Sequence, residues 1–335
     1  MRWGYSHLYR VLVGSLPSVW ALSYYALDHP WLFRVWQPLR RRWNDLIASR
    51  FVQWVRATQP DVVIATHFFP ADALGAARRA GRLTSRLIVV ITDLFPHRFW
   101  LVPGADAVVV GSHETNVLCQ QRGIKADRIH VLGIPIGLGS GASADRSLLA
   151  RTFGLDPGRR TILVVSGGMG LGPMRHLVRR LVALEAVRPR QLQLLVVCGQ
   201  NEQLARRLRQ LSAASAMPVR VFGFVDTLRE LMLVSDLLVT KAGGMTIMEA
   251  LALGLPMVFC GVIPGQERFN AAYVVARHAG VMVSNVDEAV GAILRVLDDP
   301  IQLEAMRARA VALGKPQAAS DLVEHLLVAS SHGTS

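Results

Sequence analysis

The sequence predicts an α/β protein built from two domains, each a parallel sheet covered by helices, and three observations carry that expectation. Short β-branched runs alternate with longer amphipathic stretches beyond residue 60. Such alternation specifies parallel strands, because each crossover lays a helix over the sheet. The runs fall into two series on either side of a Gly/Ser-rich stretch, residues 133–146, which reads as a linker. Finally, 335 residues with 51% apolar and 18% charged content suit two domains of about 150 residues and exclude a disordered chain.

In the first series, residues 60–68, 86–93, 105–112 and 128–134 read as buried strands. Helices are expected at 71–80 and at 114–122, the latter stopped by Gly123. In the second series, 161–168, 192–199, 219–224, 236–244 and 256–261 read as strands followed by helices, and 301–330 as terminal helices. The domains are placed at 1–140 and 141–335. Cys119, Cys198 and Cys260 are scattered, which excludes a disulfide scaffold and a cysteine zinc site and suits a reducing compartment.

The first 56 residues differ from the rest. They hold six of the seven Trp, four of the five Tyr, and eight Arg against only Asp28 and Asp45. About half of the net charge of +13 therefore sits in a sixth of the chain. No run there reaches the length of uninterrupted apolar sequence that spans a bilayer, and no small-residue cleavage site follows. The segment reads as mostly helical, with its densest aromatic and basic cluster at Trp31, Phe33, Trp36 and Arg40, Arg41 and Arg42. Interfacial rings and cationic side chains suit an anionic membrane surface. The competing reading is a buried helical hairpin with a solvated arginine face. Nucleic acid is not expected as a partner, because no recognition motif accompanies the charge.

Ligands of doubly wound sheets sit at the carboxyl ends of the strands, so the loops there are the informative ones. After residues 161–166 comes Gly167-Gly168-Met169-Gly170-Leu171-Gly172, where glycine permits close backbone approach and positive φ. It matches neither the dinucleotide fingerprint nor a Walker A loop. Next, Lys241-Ala242-Gly243-Gly244-Met245-Thr246 ends a strand and opens a helix. Free N–H groups there, with the Thr246 hydroxyl, suit a diphosphate. Glu249 stands three residues on, where it can accept from ribose hydroxyls. The alternative is a capping box, with Thr246 as cap and Glu249 at the third helical position. Pro264-Gly265-Gln266-Glu267-Arg268-Phe269-Asn270 follows the adjacent strand, and its polar residues suit sugar hydroxyls.

Taken in order, Gly167–Gly170, Cys-Gly-Gln-Asn-Glu (198–202), Gly-Phe-Val-Asp (223–226), residues 241–251 and Pro-Gly-Gln-Glu-Arg-Phe-Asn-Ala (264–271) resemble the monogalactosyldiacylglycerol synthase and processive diacylglycerol glucosyltransferase family. This group belongs to glycosyltransferase family 28 and is related to the peptidoglycan lipid I N-acetylglucosaminyltransferase. Thr-His-Phe-Phe-Pro (66–70), residues 92–100 and Val-Leu-Gly-Ile-Pro-Ile (131–136) extend the resemblance over roughly residues 1–295. It implies a GT-B fold, two Rossmann-like domains facing a cleft with the nucleotide sugar in the C-terminal one. It also implies an inverting hexosyl transfer from a UDP-sugar to diacylglycerol or a related lipid on the cytoplasmic membrane face, with neither metal nor cofactor. Carried over by position, Gly168, Met169 and Gly170 lie by the diphosphate, and Phe224 and Val225 touch the uracil. Gly243, Gly244, Met245 and Thr246 hold phosphate, Glu249 the ribose, and Gln266 and Glu267 the hexose.

Family members open with a strand and a Gly-rich loop carrying His, and Met1-Arg2-Trp3 matches family sequence beyond it. The N-terminal domain is therefore expected to lack its first, central strand, through a coding start placed too late or a fragmentary chain. Without that His, the candidates for a base on the acceptor hydroxyl are His67, Asp93 and His97, each also readable as a structural cap or core group. Two further readings stay open: a UDP-sugar 2-epimerase-like GT-B enzyme, and a non-catalytic nucleotide-sugar-binding protein.

Overall fold

The computed structural model describes residues 16–137, 145–170, 172–226 and 228–328. It divides into two compact units: Met1–Pro135 with Pro264–Phe269 and Gln317–Ser335, and Ile136–Ile263 with Asn270–Pro316.

In the first unit a helical pair, α1 (Pro17–Asp28) and α2 (Pro30–Thr58), precedes a parallel sheet in the order β1 (Val62–Ala65), β2 (Arg86–Val90), β3 (Ala107–Val109), β4 (Ile129–His130). Helix α3 (Phe68–Arg79) follows β1, and α4 (His113–Gln121) follows β3. Period-two alternation divides the strand side chains between the faces. Leu87, Val89, Ile91 and Val108 pack with Ala71, Leu74 and Ala77 of α3, whereas Ile88, Val90, Ala107 and Val109 pack with Leu322 and Leu326. These last two come from a returning C-terminal segment, α13 (Ala318–Val323) and the π-helical turn Glu324–Val328. Arg86 also donates to the Leu326 carbonyl. The division thus departs from a single cut at residue 140, because one sheet face takes its apolar cover from the far end of the chain. Among the described residues β1 is an edge strand, with Ile64 exposed on it.

The second unit is a six-stranded, all-parallel sheet in the order β10-β9-β8-β5-β6-β7. Its strands are β5 (Arg160–Val165), β6 (Leu192–Val197), β7 (Val219–Phe222), β8 (Leu237–Thr240), β9 (Met257–Phe259) and β10 (Gly280–Met282). All but β10 coincide with the expected runs, β5 starting one residue early. The helices, in chain order, are α5 (Arg146–Thr152), α6 (Met174–Val182), α7 (Glu202–Ala213), α8 (Leu228–Leu233), α9 (Gly244–Ala252), α10 (Gln266–Val275), α11 (Val286–Asp298) and α12 (Pro300–Leu313). β5 and β6 pair over six residues and are buried except at Arg160, as expected for strands covered on both faces. The chain order reverses at β5, with β6 and β7 on one side and β8 to β10 on the other. The β5 and β8 loops therefore straddle a topological switch point, the place where open α/β sheets bind ligands.

Candidate functional site

The two loops at the switch point touch. After β5 the chain turns at Gly167 (φ 70°) and Gly170 (φ 64°), and the Gly170 amide donates to the Gly167 carbonyl at 3.1 Å. The loop after β6 packs directly on it. A Cβ at Gly199 (φ 58°) would lie 2.5 Å from the Gly167 carbonyl oxygen and 2.6 Å from that of Gly168, so only glycine fits. The Gln200 amide donates to Gly168 O at 2.9 Å, and Asn201 Nδ2 donates to Gly170 O at 3.1 Å. Asn201 also caps α7 through the Leu204 amide. The Gly168–Gly170 backbone is thus held by the neighbouring loop. From the other side, Lys241 reaches across, its Cε 2.7 Å from where a Gly167 Cβ would be.

After β8 comes a second turn. Ala242 is fully buried with φ 73°, an uncommon conformation for a residue with a side chain, and its carbonyl accepts from the buried Asn270 Nδ2 at 3.3 Å. Helix α9 then starts at Gly244, with Gly243 as its N-cap and no side-chain capping bond. This corrects the capping-box alternative: Thr246 lies inside the first turn rather than at the cap, and Glu249 one turn further. The amides of Gly244, Met245 and Thr246 precede the first intrahelical bond, from Ile247 to Gly243 O. Such amides form an anion site. Glu249 is half-buried, and loss of water raises its carboxyl pKa above the ordinary value.

Phe224 and Val225 follow β7, and Phe224 is exposed. Gly223 stands beside the Gly199 loop, where a Cβ would meet Glu202 Oε1 at 3.0 Å and Gly199 O at 3.8 Å. Gln266 and Glu267 open α10 and count with the first unit. There Trp20 Nε1 donates to Pro264 O at 3.1 Å and Phe269 stacks on Phe95 at 3.9 Å between centroids. Glu267 is buried and Gln266 half-buried.

Two family models match: monogalactosyldiacylglycerol synthase over residues 4–136 and the glycosyltransferase family 28 C-terminal domain over residues 161–325. The chain belongs to this family of diacylglycerol glycosyltransferases. It is 28% identical over 280 residues to a processive diacylglycerol β-glucosyltransferase of Bacillus cereus, covering 83% of this chain and 70% of that protein. The fold is that of GT-B proteins. The Staphylococcus aureus MnaA structure with UDP matches with a TM-score of 0.69 at 14% identity, covering 88% of this chain and 82% of that one. Acinetobacter baumannii MurG matches with a TM-score of 0.59 at 17% identity, covering 82% and 75%.

In this family member the three acceptor-side candidates have different surroundings. His67 is the N-cap of α3, its Nδ1 accepting from the Phe69 amide at 3.2 Å. The residue is exposed to solvent, yet loss of water around the ring, which lies against Phe68 and Trp100, lowers its pKa. With Nδ1 engaged as acceptor, the neutral ring carries its proton on Nε2 and offers a donor rather than a base. Trp100 links it to Asp93, whose Oδ2 accepts from the indole Nε1 at 3.3 Å. Asp93 is half-buried just past β2.

His97 corrects the expectation. It is 3% exposed, with Nδ1 accepting from the Phe99 amide at 3.2 Å and Nε2 3.0 Å from the Tyr24 carbonyl oxygen. Burial lowers its pKa. Both nitrogens are therefore engaged within the fold, and His97 ties α1 to the turn after β2. Asp28 does the same: it binds Arg122 through both oxygens at 2.7 Å and accepts from the Arg98 amide at 2.9 Å.

The aromatic, basic cluster is split between two faces of α2. Phe33 is 7% and Arg40 9% exposed. Arg40 pairs with Asp72 of α3 at 3.1 Å, Asn44 donates to the same carboxylate at 2.8 Å, and the guanidinium lies over Phe33 and Phe99. Phe33 and Arg40 therefore serve packing and, contrary to the expectation, do not present a surface to a membrane. Trp31 is 63% exposed, with Val35, Trp36, Leu39, Trp43, Leu46 and Trp54 also exposed, as is Arg42; Arg41 is half-buried. Sequence reasoning did not single out Val35, Leu39, Trp43, Leu46 or Trp54, though their spacing marks one helical face. No helix of the described residues is long and apolar enough to cross a membrane.

Proposed function

We propose that the chain transfers a hexose from a UDP-sugar to a membrane lipid acceptor such as diacylglycerol, with inversion at the anomeric carbon and without a metal ion, on the cytoplasmic membrane face. The observation that supports it best is the switch-point pair of loops, where a glycine turn held by Gly199 and Asn201 faces Lys241 and the uncapped start of α9. In this reading Gly168, Met169, Gly170, Gly243, Gly244, Met245 and Thr246 receive the diphosphate. Phe224 and Val225 take the uracil, Glu249 the ribose hydroxyls, and Gln266 and Glu267 the hexose. The charge that builds on the leaving diphosphate is met by fixed N–H groups, which need no reorganisation as the glycosidic bond breaks.

The acceptor hydroxyl attacks the anomeric carbon, the carbon–oxygen bond to UDP breaks, and the hydroxyl proton passes to a base. Asp93 is assigned that role, because His67 presents a donor and His97 is engaged on both nitrogens. The exposed face of α2, with Trp31, Trp36 and Arg42, is assigned to an anionic membrane surface. UDP-glucose and UDP-galactose, each radiolabelled in the hexose and incubated with diacylglycerol vesicles, test the proposal. Label in a glycolipid is the expected outcome. Interconversion of free nucleotide sugars, or donor binding without turnover, overturns it.

A further inference from the structure

At the end of the second sheet opposite those loops, a cavity of about 870 Å³ opens at the amino ends of β5 and β8. Its charged wall carries Arg146 and Arg151 of α5, Arg160 at the start of β5, Arg307 and Glu304 of α12, and Asp236 just before β8, with Asp156 beside Arg159. One carboxylate oxygen, Asp236 Oδ1, serves three guanidinium groups: Arg146 at 3.0 Å, Arg307 at 3.1 Å and Arg160 at 3.7 Å. The other oxygen accepts from the Thr161 amide at 2.8 Å. Glu304 also lines the cavity, so Arg146, Arg151, Arg160 and Arg307 stand against Asp236 and Glu304, and two positive charges remain on the wall. Arg159, also on the wall, is separately matched by Glu185 at 3.0 Å. Arg307 Nε is buried without a hydrogen-bond partner, while Arg146 and Arg160 are half exposed toward the cavity mouth.

Like charges converging this closely repel one another, and a doubly charged anion with several acceptor oxygens relieves the repulsion better than water. Planar guanidinium forks match phosphate oxygens in pairs. We propose that this cavity is a second anion site, specific for a phosphate group of charge about −2 and distinct from the diphosphate-binding loops at the other end of the sheet. Its ligand is either a free phosphorylated small molecule or the phosphomonoester headgroup of an anionic lipid. Occupancy would tie α5 and α12 to the sheet, so the site is placed to stabilise the second unit.

Calorimetry with inorganic phosphate at pH 8, where it carries two negative charges, in the presence of saturating UDP and on the full chain, tests the proposal. Arg146 and Arg160 are half exposed, so R146A/R160A is expected to fold, and circular dichroism with the single R160A provides the second measurement. The expected result is binding by wild type that weakens about ten-fold or more in R146A/R160A. It should persist in T246A and in R206A/R209A, the latter removing two exposed charges of α7 outside the cavity. No binding by wild type, unchanged binding in R146A/R160A, or an equal loss in R206A/R209A overturns the site. Co-sedimentation with phosphatidic acid vesicles, with W31S/W43S in the background to remove the α2 face, separates the ligand sources. Loss in R146A/R160A identifies a headgroup, and unchanged sedimentation identifies a soluble phosphate.

Discussion

Glu249→Gln separates binding from stability at one residue. The carboxyl sits one turn into α9, half-buried, and burial raises its pKa. If the carboxylate accepts one or two ribose hydroxyls, the neutral amide loses charge-assisted hydrogen bonds of about 1.5–3 kcal/mol each, partly replaced by its own carbonyl. UDP affinity should therefore fall about ten-fold to a hundred-fold. Stability should move the other way. Because the folded pKa lies above the unfolded one, the unfolded chain ionises first as pH rises, and the native state loses stability through that window. Above the folded pKa the full cost of a buried charge is present, and the amide removes it. E249Q should then melt higher than wild type at neutral pH, with the difference vanishing at a pH below the unfolded value of about 4.3. Calorimetric titration with UDP and thermal denaturation from pH 4 to 8 measure the two effects. Unchanged UDP affinity refutes the ribose assignment, and an equal or lower melting temperature at neutral pH refutes the burial argument.

Further outcomes follow from the same geometry. Gly199→Ala, at φ 58° with a Cβ 2.5 Å from the Gly167 carbonyl oxygen, should cost about 2 kcal/mol or more and weaken UDP binding, read by melting and calorimetry. Asp93→Asn should lower turnover about 10²-fold to 10⁴-fold while leaving UDP affinity intact, in a radiolabel transfer assay. Arg40→Ala strips the buried Asp72 of its cation and should destabilise by about 3–5 kcal/mol in urea. Trp31→Ser with Trp43→Ser, on the exposed face of α2, should instead keep the melting temperature and reduce binding to anionic vesicles.

Much of the fold was legible along the chain. Strands β2, β5, β6 and β8 are buried on both faces, so their apolar runs are continuous and need no context to be read. β10 was missed: it is a three-residue edge strand, and only Gly280 of its residues is buried. The loop glycines were legible because close approach and positive φ leave little choice of residue, as at Gly167, Gly170 and Gly199. The basic aromatic segment was legible as a composition, but not as two faces of one helix.

The sequence by itself determined the alternation of strands and helices, the loops bearing glycine, Lys241 and Thr246, and the family these motifs mark. Only the tertiary structure decided that Phe33, Arg40 and His97 are interior, that Leu322 and Leu326 cover the first sheet, and that three arginines converge on Asp236. The physical reason is range. Strand periodicity and turn geometry are set by neighbours a few residues apart. Burial and charge pairing are set by partners as distant as Arg86 and Leu326, 240 positions apart in the chain.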